Sequence, residues 1–583
     1  MSKFRRFNCI LRILAFLLLA AIGFHYVDRV LMAKDGEELS PYYYDYPSDY
    51  FDVIIAGPSV MKNGVQPVEL WQDYGIAAYN LSCGNQSLAC SYYILKDAIS
   101  KDHPQLIVLD VTYAEEIYIT RSNTFVHYLT DMMPLTDRYR YQLIQEVISE
   151  DQRMEFYLPF YSFHSRWKEV TASDFKLDNY QKDTLGSVTY AQTVSYDAVP
   201  FQNYDVDASL SDISREYLEK IISLCQENDT QLLFTCCPVS SANGDCDERS
   251  YNSRRAIMQD VSALAVENDV PFLNFLENPD ALQLDAYKDF WDGIHLNMYG
   301  SAKLTTFLGT YIRNNYDIPD RSTDSKYTGR LNKVVSNYVK TKRSQAITTV
   351  SRTDVCMEVL EQYRRDDDLL YVIEGSELDS SQLSEEITNG LRKLGLTLSV
   401  SDTSADSSSN DVTSSDDTSA TDSTSASAGN TSAATGNDAD NTLSEADNTA
   451  AQPCSINYLA VIDGGTVVQE EESLDGTAIS WAGTSSDCRI SLQTSGYILT
   501  EDTSADPLGS RLFSVARTGD EQDTSALVYE DKTESLLLQG GNYVGSDSGL
   551  HIAVYNKSKR KLIDCITISA DGTSLTHWKE AGN

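Results

Sequence analysis

From Phe51 to Asn315 the chain alternates short β-branched apolar runs with longer segments whose apolar residues recur at helical spacing. The runs Phe51–Ala56, Ala78–Cys83, Leu106–Val111, Leu232–Val239 and Pro271–Phe275 have the length and composition of strands buried on both faces. Between them Val65–Gly75, Ser87–Ser100, Ser214–Asn228 and Arg249–Asn268 read as helices, and Tyr299–Asn315 closes the series. Strand and helix repeated in this order predict an α/β fold with a doubly wound, flavodoxin-like parallel sheet. Such sheets bind ligands beyond the carboxyl ends of their strands. Residues just after each run are therefore the ones to search for chemistry.

The first run is broken by Gly57-Pro58, so Ser59 falls at the carboxyl end of the first strand. A helix after it can stabilise negative charge there, although G-P-S is equally an ordinary turn. Far downstream, Phe290–Asn297 (FWDGIHLN) places Asp292 and His295 three apart, just before the closing helix, with Asn297 as N-cap. In a loop, this spacing lets the aspartate orient one imidazole nitrogen while the other faces a nucleophile. By itself, an Asp and a His near a helix start also serve for capping and packing. Topology brings the two stretches to the same sheet edge.

Ser59 with Asp292-x-x-His295 resembles the SGNH (GDSL-like) hydrolase superfamily, whose nucleophile lies near the start of the domain and whose D-x-x-H block lies near its end. AYNLSCGNQSLACSYYILKDAI (Ala78–Ile99), LIVLDVTYAEE (Leu106–Glu116) and LPFYSFHSRWKEVTASDF (Leu158–Phe175) look like its membrane-anchored branch, which includes DltD-like teichoic-acid D-alanylation proteins and alginate-type O-acetyltransferases. The resemblance covers roughly residues 50–315. It implies a Ser59–His295–Asp292 triad, an acyl-enzyme, a cell-envelope glycopolymer or acyl ester as substrate, and a membrane-bound O-acyltransferase as partner. It calls for neither metal nor cofactor.

Two departures from the family pattern bear on the oxyanion hole. Pro58 precedes the nucleophile, and the asparagine block expected after the third strand is replaced by Asp110 and Thr112. Developing charge needs two or three fixed donors. Candidates are the backbone N–H of Ser59, that of Gly84 or Asn85, and the Asn85 side-chain amide. Gly84-Asn85 is equally a tight turn after the second strand. Gln86, His164 and Arg166 are candidate substrate-binding residues, and Phe163–Trp167 (FHSRW) reads equally as a hydrogen-bonded turn anchored by tryptophan.

The remaining sequence divides by composition. Residues 1–35 hold Lys3, Arg5, Arg6 and Arg12, which lie before the apolar run Ile13–Phe24. This reads as an uncleaved signal anchor with a cytoplasmic amino end, in preference to a signal peptide cut near Ala20-Ala21-Ile22-Gly23. Everything after Tyr26 is then extracytoplasmic. Residues 36–50 read as an exposed stalk, 51–315 as the hydrolase-like domain with an insertion at 113–211, and 316–365 as a polar connector. Residues 397–455 are an acidic Ser/Thr/Asp linker that cannot bury enough apolar surface to fold. It splits a smaller β-rich α+β domain into 366–396 and 456–583, whose LLYVIEG, LRKLGL, NYLAVIDGG and GLHIAVYN look like the GG-type domain related to interleukin-like EMT inducers.

Acidic residues number 86 against 46 basic, a formal net charge of −40, which argues against nucleic acid as a partner. The 11 cysteines show no zinc-type C-x-x-C pairing, and one or two disulfides can form without an assignable partner. Two other readings stay open: a catalytically silent adaptor that binds envelope polymer, and an S-layer-like structural protein.

Overall fold

A computed structural model describes residues 3–31, 40–115, 123–157, 160, 163–171, 174–175, 183–194, 201–240, 247–379, 381–398, 455–485, 488–494, 496–499, 505–508, 512–517, 527–530, 536–538, 541–543, 549–558 and 561–577. The low-complexity segment 397–455 therefore lies almost wholly outside the described residues. The chain forms two compact units, Met1–Tyr363 with Leu575–His577, and Arg364–Ser574 with Trp578–Asn583.

The first unit is built on a parallel sheet of β1 (Val53–Ala56), β2 (Ala78–Asn80), β3 (Leu106–Asp110), β4 (Gln231–Cys236) and β5 (Phe272–Asn274), in the order β2-β1-β3-β4-β5. This is the flavodoxin-like order, with the switch point between β1 and β3. Val53 lies opposite both Ala78 and Leu106, and Leu106 lies opposite Gln231. Ile54, Ile55, Ile107, Val108, Leu233 and Phe234 are fully buried, which is why these strands read as continuous apolar runs. Helices α2 (Ser59–Gly64), α3 (Pro67–Tyr74) and α4 (Leu88–Asp102) follow, the last N-capped by the Ser87 hydroxyl. The single helix expected at Val65–Gly75 starts at Pro67, and α2 precedes it.

Two expectations are corrected. The described part of the 36–50 stalk is packed: Tyr43, Tyr46 and Tyr50 are buried against Phe51 and Tyr79, and Pro41–Asp45 forms a short 3-10 helix. A tyrosine-rich stretch reads as exposed because of its hydroxyls. Here those hydroxyls donate to Asp102 at 2.5 Å (Tyr43) and to Asp183 at 2.7 Å (Tyr46), so the rings are free to bury. The 316–365 connector also holds a 25-residue helix, Ser325–Thr349, and a second helix, Thr353–Tyr363. Tyr327, Leu331, Val334 and Tyr338 form its buried stripe, a spacing of four, three and four that is helical periodicity inside a basic, polar composition.

Asp97 of α4 accepts the Tyr44 phenol at 3.0 Å and is hydrogen-bonded to Asp137, the N-cap of the insertion helix Arg138–Val147. Burial first, and the Asp137 carboxyl second, push the Asp97 carboxyl up to about 8. The unfolded chain releases this proton near pH 4. Folded stability therefore falls, relative to the unfolded state, as pH rises from about 4 to about 8. Asp97→Asn keeps a donor toward Asp137 and removes the ionisation. It is expected to raise the thermal midpoint of the first unit by roughly 5 °C at pH 9 and to leave it nearly unchanged at pH 4, measured by calorimetry. An equal shift at both pH values would contradict this account.

In the second unit Leu369–Asp379 lies between Gly549–Asn556 and Ser455–Asp463, antiparallel to both, with Lys561–Ile568 and Thr466–Ser473 continuing on either side. Leu370, Val372, Leu459, Val461, Ala553 and Tyr555 share its core. Sequence-distant segments thus pair within one sheet. Cys83, Cys90, Cys225, Cys236, Cys237, Cys356 and Cys565 are buried, and none of these seven is joined in a disulfide.

Candidate active site

Gly57 turns the chain out of β1 with φ +154°, and a Cβ there would stand 2.7 Å from the Cβ of Asp110. Only glycine lets the β1 exit approach the end of β3 this closely. The turn delivers Ser59 to the first position of α2, where it is 6% exposed. Asn80, at the end of β2, donates to the carbonyls of Met61 and Val65 at 3.0 and 3.1 Å and so fixes α2 over the sheet edge.

The Phe290–Asn297 stretch closes on itself. Phe290 bridges Leu296, and the Trp291 N–H donates to the His295 carbonyl at 3.1 Å. Inside this turn Asp292 Oδ1 accepts the backbone N–H groups of Ile294 and His295 at 2.7 and 2.6 Å, while Oδ2 lies 2.7 Å from His295 Nδ1. One carboxylate therefore shapes its own loop and aligns the imidazole. Because a carboxylate only accepts, Nδ1 carries the proton, and Nε2, 2.8 Å from Ser59 Oγ, is left to accept the serine proton. The His295 and Asp292 side chains are 16% and 13% exposed, so the relay is shielded while still open toward a substrate. Trp291 stacks on the imidazole at 5.4 Å and 20°.

Several solved structures are similar to the chain. Three of them are an acylhydrolase by description from Bacteroides fragilis (11% identity, 48% of this chain and 99% of that one, TM-score 0.25), a GDSL-like lipase from Bacteroides thetaiotaomicron (11%, 45% and 87%, 0.23) and an acetyl xylan esterase (11%, 45% and 98%, 0.24). No family model and no curated protein matches the chain. What the site can do is read from its own side chains.

The backbone N–H groups of Ser59, Gly84 and Asn85 have no hydrogen-bond acceptor among the described residues. Asn85 adopts a left-handed φ of 47°. Gln86 is buried, with its side-chain amide donating to Ser91 Oγ at 3.1 Å. Asp110, where the family pattern has asparagine, ties the sheet instead: Oδ1 accepts Thr112 N–H at 3.0 Å and Oδ2 accepts Cys237 N–H at 2.7 Å. Its burial pushes the carboxyl up, and those hydrogen bonds oppose the rise.

His164 and Arg166 make no hydrogen bond or ion pair with Ser59, Asp292 or His295. Arg166 pairs with Asp174 at 2.7 Å and donates to the carbonyls of Val30 and Leu31 at 3.3 and 3.2 Å, at the end of the N-terminal helix α1 (Lys3–Leu31). His164–Lys168 forms a short 3-10 helix held by Arg166, and Trp167, the expected anchor of this turn, is exposed instead.

A strap at 183–194, missed in reading the sequence, joins the two halves of the site. Asn80 N–H donates to the Leu185 carbonyl at 2.9 Å, and Val188 N–H donates to the Lys62 carbonyl of α2 at 3.1 Å. Val194 N–H donates to the Phe290 carbonyl at 3.2 Å, and Met298 N–H to the Tyr190 carbonyl at 2.8 Å. Asn297 completes the latch: its amide donates to the Gln192 carbonyl at 3.0 Å while its oxygen caps the closing helix Met298–Asn315. Gly186, at φ +90°, passes so close to the Asn80 carbonyl that a Cβ would overlap it. That glycine was the available signal.

Proposed function

We propose that the chain is a membrane-anchored, extracytoplasmic serine esterase or O-acyltransferase of SGNH type. The observation that carries this reading is the unbroken hydrogen-bonded chain Ser59–His295–Asp292, at 2.8 and 2.7 Å. His295 Nε2 takes the Ser59 proton as Oγ attacks an acyl carbonyl, and Asp292 stabilises the imidazolium that forms. The N–H groups of Ser59 and of Gly84 or Asn85, with the Asn85 amide, hold the oxyanion. His295 returns the proton to the leaving oxygen, and the Ser59 ester then passes its acyl group to water or to a hydroxyl of a sugar or polyol.

Residues Phe7–Phe24 of α1 form a helical stretch long and apolar enough to cross a membrane, with mean hydropathy 2.2. This supports the reading of α1 as the anchor. The motif resemblance supports an acyl ester or cell-envelope glycopolymer such as teichoic acid as substrate, and a membrane-bound O-acyltransferase as partner. A fluorophosphonate probe tests the nucleophile directly. Displacement of fluoride by Oγ should leave a phosphonylated peptide containing Ser59 in the wild type and none in Ser59→Ala. Labelling confined to another serine, or none at all, would remove the enzyme reading and favour the polymer-binding adaptor.

A further inference from the structure

We infer that the part of the insertion around Trp167 seats in the outer headgroup layer of the bilayer that α1 crosses, so that the first unit rests on the membrane as well as being tethered to it. The partner is lipid, at the boundary between headgroups and acyl chains. The inference rests on the reading of α1 as a retained span and is independent of the chemistry at Ser59.

Three contacts set the depth. The apolar window of α1 ends at Phe24, and the helix continues to Leu31. Those seven further residues rise about 10 Å, enough to span one headgroup layer of about 5–8 Å. The insertion grips α1 over this same length: Phe160 packs on Phe24 at 5.4 Å, and Arg166 holds the carbonyls of Val30 and Leu31. Phe160 therefore sits at the edge of the hydrocarbon, and the Arg166 guanidinium sits among the headgroups.

The residues around that grip have the chemistry of such a layer. Trp167 follows Arg166 directly and is 66% exposed; Phe175 follows Asp174, the Arg166 partner, and is 54% exposed. Lys168 lies over the Trp167 ring, 5.9 Å from its centroid. Exposed aromatics beside basic groups are what an interfacial belt requires, because the ring enters the apolar boundary while the indole N–H and the ammonium stay among the headgroups. Large exposed apolar groups also mark protein contacts. Continuity with the apolar helix is what selects lipid.

The test uses the full chain in nanodiscs of phosphatidylcholine and phosphatidylglycerol, with and without bromine on the acyl chains close to the glycerol. Helix α1 contains no tryptophan, so quenching by brominated lipid reports on the folded unit. One tryptophan of five should be affected, which lowers total emission by on the order of a fifth, and Trp167→Phe should abolish the effect. A chain that enters nanodiscs yet shows no brominated-lipid quenching, or whose quenching persists in Trp167→Phe, overturns the inference and leaves the anchor standing. A protein partner then becomes the occupant to seek. A chain that does not enter nanodiscs overturns the anchor reading together with this one.

Discussion

Ser59→Ala and His295→Ala are each expected to lower kcat/KM for an activated acetyl ester by roughly 10⁴- to 10⁶-fold, and the double variant is expected to lose little more than the worse single one. The reason is geometric. Ser59 Oγ is a weak nucleophile until His295 Nε2, at 2.8 Å, takes its proton, and His295 has nothing to activate once the hydroxyl is gone. Residues that act in one proton transfer fail together, so the losses do not multiply. Ser59 sits within α2 with a small side chain, and alanine fits its place without disturbing the fold. Loss of activity with an unchanged thermal midpoint is therefore the expected pair of readings. Unchanged turnover in Ser59→Ala, or losses that multiply in the double variant, would sink the triad.

Asp292→Asn is expected to lower kcat by roughly 10³- to 10⁴-fold while leaving the loop intact. Asparagine keeps an oxygen for the N–H groups of Ile294 and His295, so the turn that carries the imidazole survives. Its amide nitrogen then faces His295 Nδ1 and donates to it, which moves the ring proton to Nε2 and turns the base away from accepting the serine hydroxyl. Asp292→Ala removes the turn as well as the tautomer control. It should lose similar activity and also lower the thermal midpoint. The comparison separates the two oxygens, because only the Oδ2 contact is lost in asparagine. Activity within tenfold of wild type in Asp292→Asn would show that the imidazole does not depend on this carboxylate.

The parallel sheet was legible because its strands are buried on both faces, so that runs such as Val53–Ala56 and Leu106–Leu109 are apolar throughout. The candidate site was legible where it rests on short-range chemistry: a glycine that breaks a strand before Ser59, and an aspartate three residues before a histidine. What escaped depends on partners far away in the chain. Tyr43 and Tyr46 bury because Asp102 and Asp183 accept their hydroxyls from 59 and 137 residues on, which no local pattern displays. The strap at 183–194 joins the site through backbone groups, and these carry no side-chain signature. Asp110 stands at an expected site position, yet its bonds to Thr112 and Cys237 make it a cross-tie between β3 and β4. The helix Ser325–Thr349 was hidden by charge on its solvent side, although its buried stripe was present in the spacing.

On the proposed anchoring, the packed tyrosines at the start of the first unit also limit how far that unit can stand from α1. Nine peptide units separate Leu31 at the end of α1 from Ser40, which is tied to the unit through the Tyr79 hydroxyl at 2.7 Å. Fully stretched, that length of chain covers at most roughly 30 Å. Had 40–50 been a free stalk, the leash would have more than doubled. For a chain anchored and acting as proposed, the consequence is a search in two dimensions, confined to what comes within that short distance of the bilayer.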